Sequence, residues 1–279
     1  GYILADETAT AMTIGDEPMQ FYNKFPKISV AVCEDRVTGI EQLKETHDVI
    51  ILDDAFQHRS VKPGFSILLF EFQKLRKRQF LLPAGNLREP FSSYHRAQML
   101  LVTKCPDDLD TEQKSLCVNK FDPVFQQQLS FSYLAYDDLV HVFSHEHKSG
   151  SNINSRTSIF LLTGIANPRP LVSYLQQYTA SIYHYEHPDH HKFSSDDIDK
   201  LTRSFSKSMS EDKIIITTEK DAQRLRTKEM SEQLQNLPIY YLPVKIALTD
   251  EDKTTFDNKI IEYVSSVTRN RRIYKTKNE

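Results

Sequence analysis

Short runs of apolar, largely β-branched residues recur along this chain, and they are apolar on successive residues rather than on alternate ones. Residues 48–54 (DVIILDD), 65–72 (FSILLFEF), 97–105 (AQMLLVTKC), 158–165 (SIFLLTGI) and 213–218 (KIIITT) share this character. Side chains of a strand point alternately to its two faces, so a continuous apolar run needs cover on both. Segments of helical spacing lie between the runs, as at 35–45 (DRVTGIEQLKE), where Val37, Ile40 and Leu43 share a face. Strands alternating with helices predict an α/β fold on parallel sheets.

More strands are expected at 27–34 (KISVAVCE), 180–186 (ASIYHYE) and 239–248 (IYYLPVKIAL), and one or two exposed strands at 131–143 (FSYLAYDDLVHVF). Helices are expected at PRPLVSYLQQY, at SSDDIDKLTRSFS, through EKDAQRLRTKEM, and in the last stretch, DKTTFDNKIIEYVSSV. The polar stretch 144–158 (SHEHKSGSNINSRTS) reads as a linker. The organisation is therefore two α/β domains, 1–128 and 158–279, with a strand and linker region at 129–157.

A formal net charge of -3 over 279 residues gives no argument for nucleic-acid binding, and none is expected. Basic residues cluster at 73–79 (QKLRKRQ) and 269–277 (RNRRIYKTK), runs that are ordinarily a solvated face or a frayed tail. The three cysteines, at 33, 105 and 117, are too scattered for a disulfide framework or a metal site of paired cysteines. No apolar stretch approaches the roughly 20 residues of a membrane-spanning helix, which leaves peripheral contact open.

Several stretches could carry chemistry. Asp53 and Asp54 close an apolar run. An acid at the carboxyl end of a parallel strand can hold Mg²⁺ beside a nucleotide, or it can simply cap the next turn. Gln57 and His58 follow, neither a good strand nor a good cap residue, so the loop is read as presenting them for contact. In IGDEPMQF (14–21), Asp16 and Glu17 can open a helix at Pro18, or Asp16 can accept a proton from an attacking hydroxyl. In LLPAGNLREPFSSYHRAQ (81–98), Arg88 can pair with a phosphate while Glu89 fixes its orientation, or the two can form a surface pair. Phe80, Leu81 and Leu82, beside the first basic run, could touch an anionic membrane.

YHYEHPDHHKFSSDD (183–197) gathers His184, His187, His190 and His191 ahead of a helix opened by a Ser194–Asp197 capping box. Three readings stand: a metal held by His184, His187 and His190; an Asp189–His190 pair in acid–base work; or polar loop residues. TGIANPRP (163–170) and TTEKDAQRL (217–225) also follow strands, and spacing alone assigns them no chemistry.

Taken in order, IGDEP, ILDDAFQHR, LLPAGNLREP, LTGIANP, HPDHHKF and TTEKDA resemble the motifs of the tetraacyldisaccharide 4′-kinase family, from about residue 2 to residue 225. The resemblance implies transfer of the γ-phosphate of ATP, with Mg²⁺, to the 4′-hydroxyl of a glycolipid, tetraacyldisaccharide 1-phosphate, in lipid A biosynthesis. It implies a P-loop-kinase-like domain and a smaller α/β domain, working as a peripheral protein at the cytoplasmic face of the inner membrane of Gram-negative bacteria; a monomer is expected. Carried to this chain, it makes Asp53 and Asp54 the Mg²⁺ residues. Asp16 becomes the base, tuned by His190 from the second domain, with Asp189 behind it. Glu17, Gln57, His58, Arg88 and Glu89 would line the sugar-phosphate site.

Two features depart from the family pattern. Ala55 stands where many members have glycine. No G-x-x-x-x-G-K-[ST] loop occurs, and the seven glycines are too dispersed to form a nest of backbone N–H groups around a triphosphate. The chain opens at Gly1 rather than Met, so it is expected to be a partial and inactive form of the kinase. Two other readings compete: a non-catalytic module that binds sugar phosphate or lipid, and a histidine-cluster metallohydrolase.

Overall fold

The structure is a computed structural model that describes residues 1–106, 108–121, 127–150 and 153–275, with side chains to Val267 except that of Lys228. In chain order it begins with β1 (Tyr2–Leu4), α1 (Ala11–Ile14), α2 (Asp16–Lys24), β2 (Ala31–Cys33) and α3 (Arg36–Leu43). Then come β3 (Ile67–Glu71), α4 (Phe72–Leu75), β4 (Met99–Cys105), α5 (Thr111–Val118), β5 (Gln128–Tyr136), β6 (Leu139–His141) and β7 (His147–Lys148). The remainder is β8 (Ser158–Thr163), α6 (Arg169–Gln176), β9 (Ile182–Glu186), α7 (Ser195–Lys207), β10 (Lys213–Thr218) and α8 (Glu219–Leu225). It closes with α9 (Lys228–Leu234), β11 (Ile239–Leu242), β12 (Val244–Leu248) and α10 (Asp250–Lys275).

These elements form two compact units, neither contiguous in sequence. The first joins Gly1–Cys33 to Tyr136–Val244, and the second joins Glu34–Ala135 to the residues from Lys245 onward. The division differs from contiguous stretches of 1–128, 129–157 and 158–279. Its cause lies in two local attachments of the N-terminal segment: β1 pairs antiparallel with β2, and α2 packs along α8. That carries residues 1–33 into the same unit as the later sheet.

The first unit is built on a sheet of order β7-β6-β11-β10-β8-β9, parallel from β11 to β9. Its two faces carry separate cores. One gathers Phe160, Leu162, Ile198, Leu201 and Leu225, the other Ile159, Leu161, Leu175 and Ile214. Alternate residues of β8 thus feed opposite cores, and Ile159 to Leu162 are at most 2% exposed. α7 delivers Ile198, Leu201 and Phe205 from one face, and Ser194 caps its first turn through the Asp197 N–H. The second unit has a sheet of order β12-β5-β4-β3, parallel through β3, β4 and β5, over a core rich in aromatic rings.

The α/β class and its parallel sheets are as the sequence indicates, but several local expectations fail. DVIILDD forms no strand; Ile51 is 89% exposed and Val49 49%. A strand exists through its ladder, and residues 48–54 have no ladder partner among the described residues. Residues 131–143, expected to be exposed, bury Phe131, Leu139, Val140 and Val142, because β5 continues one sheet and β6 adds to the other. The helix expected through EKDAQRLRTKEM breaks between α8 and α9, and the strand 239–248 breaks at Pro243, sending β11 and β12 to different sheets. Within the expected linker, residues 147–148 form β7, while 151–152 lie outside the described residues. The side chains of the basic run 269–277 also lie outside them.

Candidate active site

In the first unit, three sequence motifs meet at Gly164, at the end of β8, and a fourth, that of Asp16, joins them through Arg224. Its N–H donates to Asp221 Oδ2 at 2.9 Å, and its carbonyl accepts from the His190 N–H at 3.1 Å and from Arg224 Nη1 at 3.2 Å. A Cβ here would lie 3.2 Å from Asp221 Oδ1 and 3.3 Å from Arg224 Nη1, so the close approach explains the glycine.

Asp16 opens α2 behind Gly15, whose φ of 96° suits glycine. Asp16 Oδ2 accepts from Arg224 Nε at 2.8 Å and from Arg224 Nη2, and it faces His190 Nδ1 at 3.4 Å. Burial pushes the Asp16 carboxyl up, but the hydrogen bond and charge of Arg224, with His190 and Lys220, outweigh it and hold the group below the usual Asp range. Lys220 Nζ lies 3.2 Å from His190 Nε2 and can only donate. Arg224 Nη2, likewise only a donor, lies 3.4 Å from His190 Nδ1, so each ring nitrogen faces a cation while Nδ1 also faces Asp16. Asp189 holds the loop: its Oδ1 accepts the His190 N–H at 3.0 Å, and Lys220 lies 3.5 Å away. His190 has φ of 58°, a left-handed conformation uncommon for a residue with a side chain.

Asp16, Glu17, Asp189 and His190 are thus together in one unit, Glu17 through Lys220 at 3.2 Å. The pairing of Asp16 with His190 needs no second domain, unlike the expectation from the resemblance. Sequence reasoning missed Arg224 and Lys220. A signal was present: two cations spaced i, i+4 on a helix that directly follows a strand.

The histidines considered as a metal set do not converge. His184 is hydrogen-bonded to Thr163 Oγ1 at 2.8 Å, and His190 faces Asp16. Donor atoms of His187, His191 and Asp197 do lie within 4.8 Å of one another. Yet the two rings stack at 4.4 Å and 16°, so their in-plane lone pairs run nearly parallel rather than toward one point. Asp197 Oδ2 already accepts from the Ser194 N–H at 2.9 Å and Oγ at 2.7 Å, besides meeting His191 Nε2 at 3.0 Å. Burial opposes its ionisation, but these bonds hold its carboxyl well below the usual range. The arrangement is that of a helix cap rather than a metal centre.

In the second unit, Gln57, Arg88 and Glu89 line a cleft of about 240 Å³ walled by Phe70, Phe91 and Tyr94. Arg88 Nη1 donates to Gln57 Oε1 at 3.3 Å. Glu89 does not orient Arg88: it pairs with Arg96 at 2.8 Å and Arg59 at 3.3 Å. The correction is geometric, since adjacent side chains of a non-helical segment diverge. Arg96 also stacks over Phe56 at 4.5 Å. Burial pushes the Glu89 carboxyl up, and Arg96 and Arg59 more than reverse it. His58 Nε2 is buried with no hydrogen-bond partner among the described residues, which is uncommon and suits a group that meets a ligand. Asp53 and Asp54 are exposed, with no ion pair among the described residues, and Asp54 has φ of 45°. Two adjacent, unengaged carboxylates are hard oxygen donors, a set that fits Mg²⁺.

Acids, histidines and an arginine gathered at the carboxyl end of a parallel strand stand where α/β enzymes bind their ligands. The family model described as LpxK, tetraacyldisaccharide-1-P 4′-kinase, matches residues 1–264, and the chain belongs to that family of kinases. Among curated relatives, the tetraacyldisaccharide 4′-kinase of Bacteroides thetaiotaomicron is 42% identical, over 97% of this chain and 74% of its own length. Its namesake from Flavobacterium johnsoniae is 40% identical over 95% of this chain and 74% of its own. A crystal structure described as the "apo" form of LpxK from Aquifex aeolicus in complex with ATP shares the fold, with a TM-score of 0.66 and 24% identity. That likeness covers 96% of this chain and 74% of the other.

Proposed function

We propose that this kinase moves the γ-phosphate of ATP to the 4′-hydroxyl of tetraacyldisaccharide 1-phosphate, with Asp16 as the base. The observation that carries the reading is the Asp16 carboxylate, held by Arg224 and faced by His190 Nδ1. Phosphoryl transfer asks a protein for positioning and charge neutralisation more than for covalent chemistry. Asp16 takes the hydroxyl proton, His190 orients Asp16, and Asp189 keeps the His190 loop in place. Glu17, Gln57, His58, Arg88 and Glu89 bind the sugar phosphate, the aromatic wall of the cleft suiting a sugar face. Asp53 and Asp54 would hold Mg²⁺, which when bound offsets the negative charge of the phosphates.

The 279 residues contain no Walker-type nest, so they do not turn over ATP by themselves in this reading. The protein acts as a monomer at the cytoplasmic face of the inner membrane, docked peripherally. Phe80, Leu81 and Leu82 are 54%, 45% and 61% exposed, and exposed Arg76, Lys77 and Arg78 adjoin them without an acid between. Apolar side chains next to cations suit an anionic bilayer.

Phosphate transfer from ATP–Mg²⁺ to the tetraacyldisaccharide, assayed on these residues and on the complete product of the natural gene, tests the proposal. Turnover by the complete product, lost in Asp16→Asn with little change in glycolipid affinity, is the expected result. A folded complete product that binds the glycolipid without phosphorylating it would favour a non-catalytic binding module.

A further inference from the structure

Asp16 has two carboxylate oxygens, and only one is engaged. Every contact recorded for the side chain falls on Oδ2; Oδ1 has no hydrogen-bond partner among the described residues. The group that occupies Oδ2 is itself fixed from behind. Arg224 Nη1 donates to Asp221 Oδ1 at 2.9 Å, to the Gly164 carbonyl at 3.2 Å and to the His191 carbonyl at 3.3 Å. Asp221 is fully buried, and its Oδ2 accepts from the Gly164 N–H and from Thr218 Oγ1 at 2.7 Å. Burial pushes the Asp221 carboxyl up, and its hydrogen bonds and the Arg224 charge only partly offset this.

Three further contacts repeat the pattern along the two helices. Glu17 meets Lys220 at 3.2 Å, Asn23 Nδ2 donates to Gln223 at 2.7 Å, and Lys24 meets Glu219 at 2.9 Å. α8 therefore holds α2 along its length through paired polar side chains, with the Asp16–Arg224 pair at the end that carries the chemistry.

Resting on the proposed base role of Asp16, we infer that Arg224 is a positioning residue: anchored by Asp221 and the backbone of Gly164 and His191, it pins Asp16 Oδ2 so that Oδ1 faces the substrate hydroxyl. In the step this serves, the 4′-oxygen forms a bond to the γ-phosphorus as the bond from that phosphorus to the β–γ bridging oxygen breaks. The electron pair leaves with ADP, and the hydroxyl proton passes to Oδ1. A guanidinium lowers the basicity of its carboxylate, which suits this reaction: in a loose transition state, orientation of the acceptor counts for more than its strength. The TTEKDA stretch, to which spacing assigns no chemistry, thereby acquires a role. Thr218 and Asp221 hold the arginine, and Lys220 meets His190 Nε2 at 3.2 Å.

The test is a double-mutant cycle in the complete gene product, comparing wild type, Asp16→Asn, Arg224→Gln and the double variant. Arg224→Gln is expected to lower kcat about 10- to 100-fold, with KM for ATP within about 2-fold, as loss of orientation rather than of binding predicts. It should also move the acid limb of the kcat/KM profile to higher pH, because the Asp16 carboxyl rises once the guanidinium is gone. Arg224→Lys, which keeps charge without the fork, should recover part of the loss. In the Asp16→Asn background, Arg224→Gln should change kcat by less than about 2-fold, since the arginine acts through the aspartate. Equal losses in both backgrounds, or an unmoved acid limb, would overturn the clamp alone. Near-normal turnover by Asp16→Asn would overturn the base assignment and the clamp with it. Should Arg224→Gln fail to fold, Asp221→Asn loosens the same anchor and carries the same cycle.

Discussion

Asp16 and His190 are placed by backbone features as much as by their own chemistry. Gly15 supplies a positive φ that turns the chain into α2, and Gly164 lets Asp221 and Arg224 approach the end of β8. Gly164→Ala would force Arg224 and Asp221 back by a few tenths of an ångström. Because misplacement by about 1 Å can cost roughly 100-fold in rate, we expect a several-fold fall in kcat with unchanged substrate KM, read from steady-state kinetics. The pH behaviour of wild type follows from the sign of the Asp16 shift. A carboxyl held below its ordinary value stays ionised to lower pH, so the acid limb of kcat/KM should lie below about 3.9, the usual Asp value. Its contribution to folding is present above the unfolded Asp value and lost as pH falls through the lower folded value. An acid limb near pH 6 would point instead to a histidine as the base.

Elements show where local pattern suffices and where it fails. α7 follows directly from its capping box and its apolar spacing, and Leu201, fully buried, is its central anchor. Leu201→Ala should cost about 2–5 kcal/mol in denaturant unfolding, the range for a buried leucine that leaves a cavity. The segment DVIILDD is equally apolar but forms no strand, because a strand depends on a neighbour that its own sequence does not specify. The loop at 80–87 is held by its backbone: Leu87 N–H donates to the Phe80 carbonyl at 3.0 Å, and Leu82 N–H to the Leu87 carbonyl at 2.9 Å. A Cβ at Gly85 would lie 2.4 Å from the Phe80 carbonyl oxygen, a backbone atom that cannot step aside. Gly85→Ala should therefore distort the loop and reduce co-sedimentation with vesicles containing phosphatidylglycerol. Leu82→Ser should weaken that binding while leaving the fold intact; equal sedimentation of all forms would remove the membrane role from this loop.

At the scale of the whole molecule, burial sets the chemistry of the thiols. Burial pushes the Cys105 thiol up to about 11 and raises that of Cys117, so both are protonated and shielded at neutral pH. A disulfide-exchange reagent at pH 8 should titrate no more than one thiol per folded chain and all three after denaturation; fast reaction of three in the native protein would contradict the cores described above. The sequence by itself determined the α/β class, most strands and helices, the cap of α7, and the set of polar motifs that mark the family. Each of these is written in local periodicity or in short strings of residues. Only the tertiary structure decided that residues 1–33 share a unit with residues 136–244, and that Glu89 serves Arg59 and Arg96 rather than Arg88. It also brought Arg224 to Asp16 across 208 positions of sequence. Local periodicity says which face of an element is buried but not which distant element covers it, and that choice rests on strand pairing and helix contacts between residues far apart in the chain.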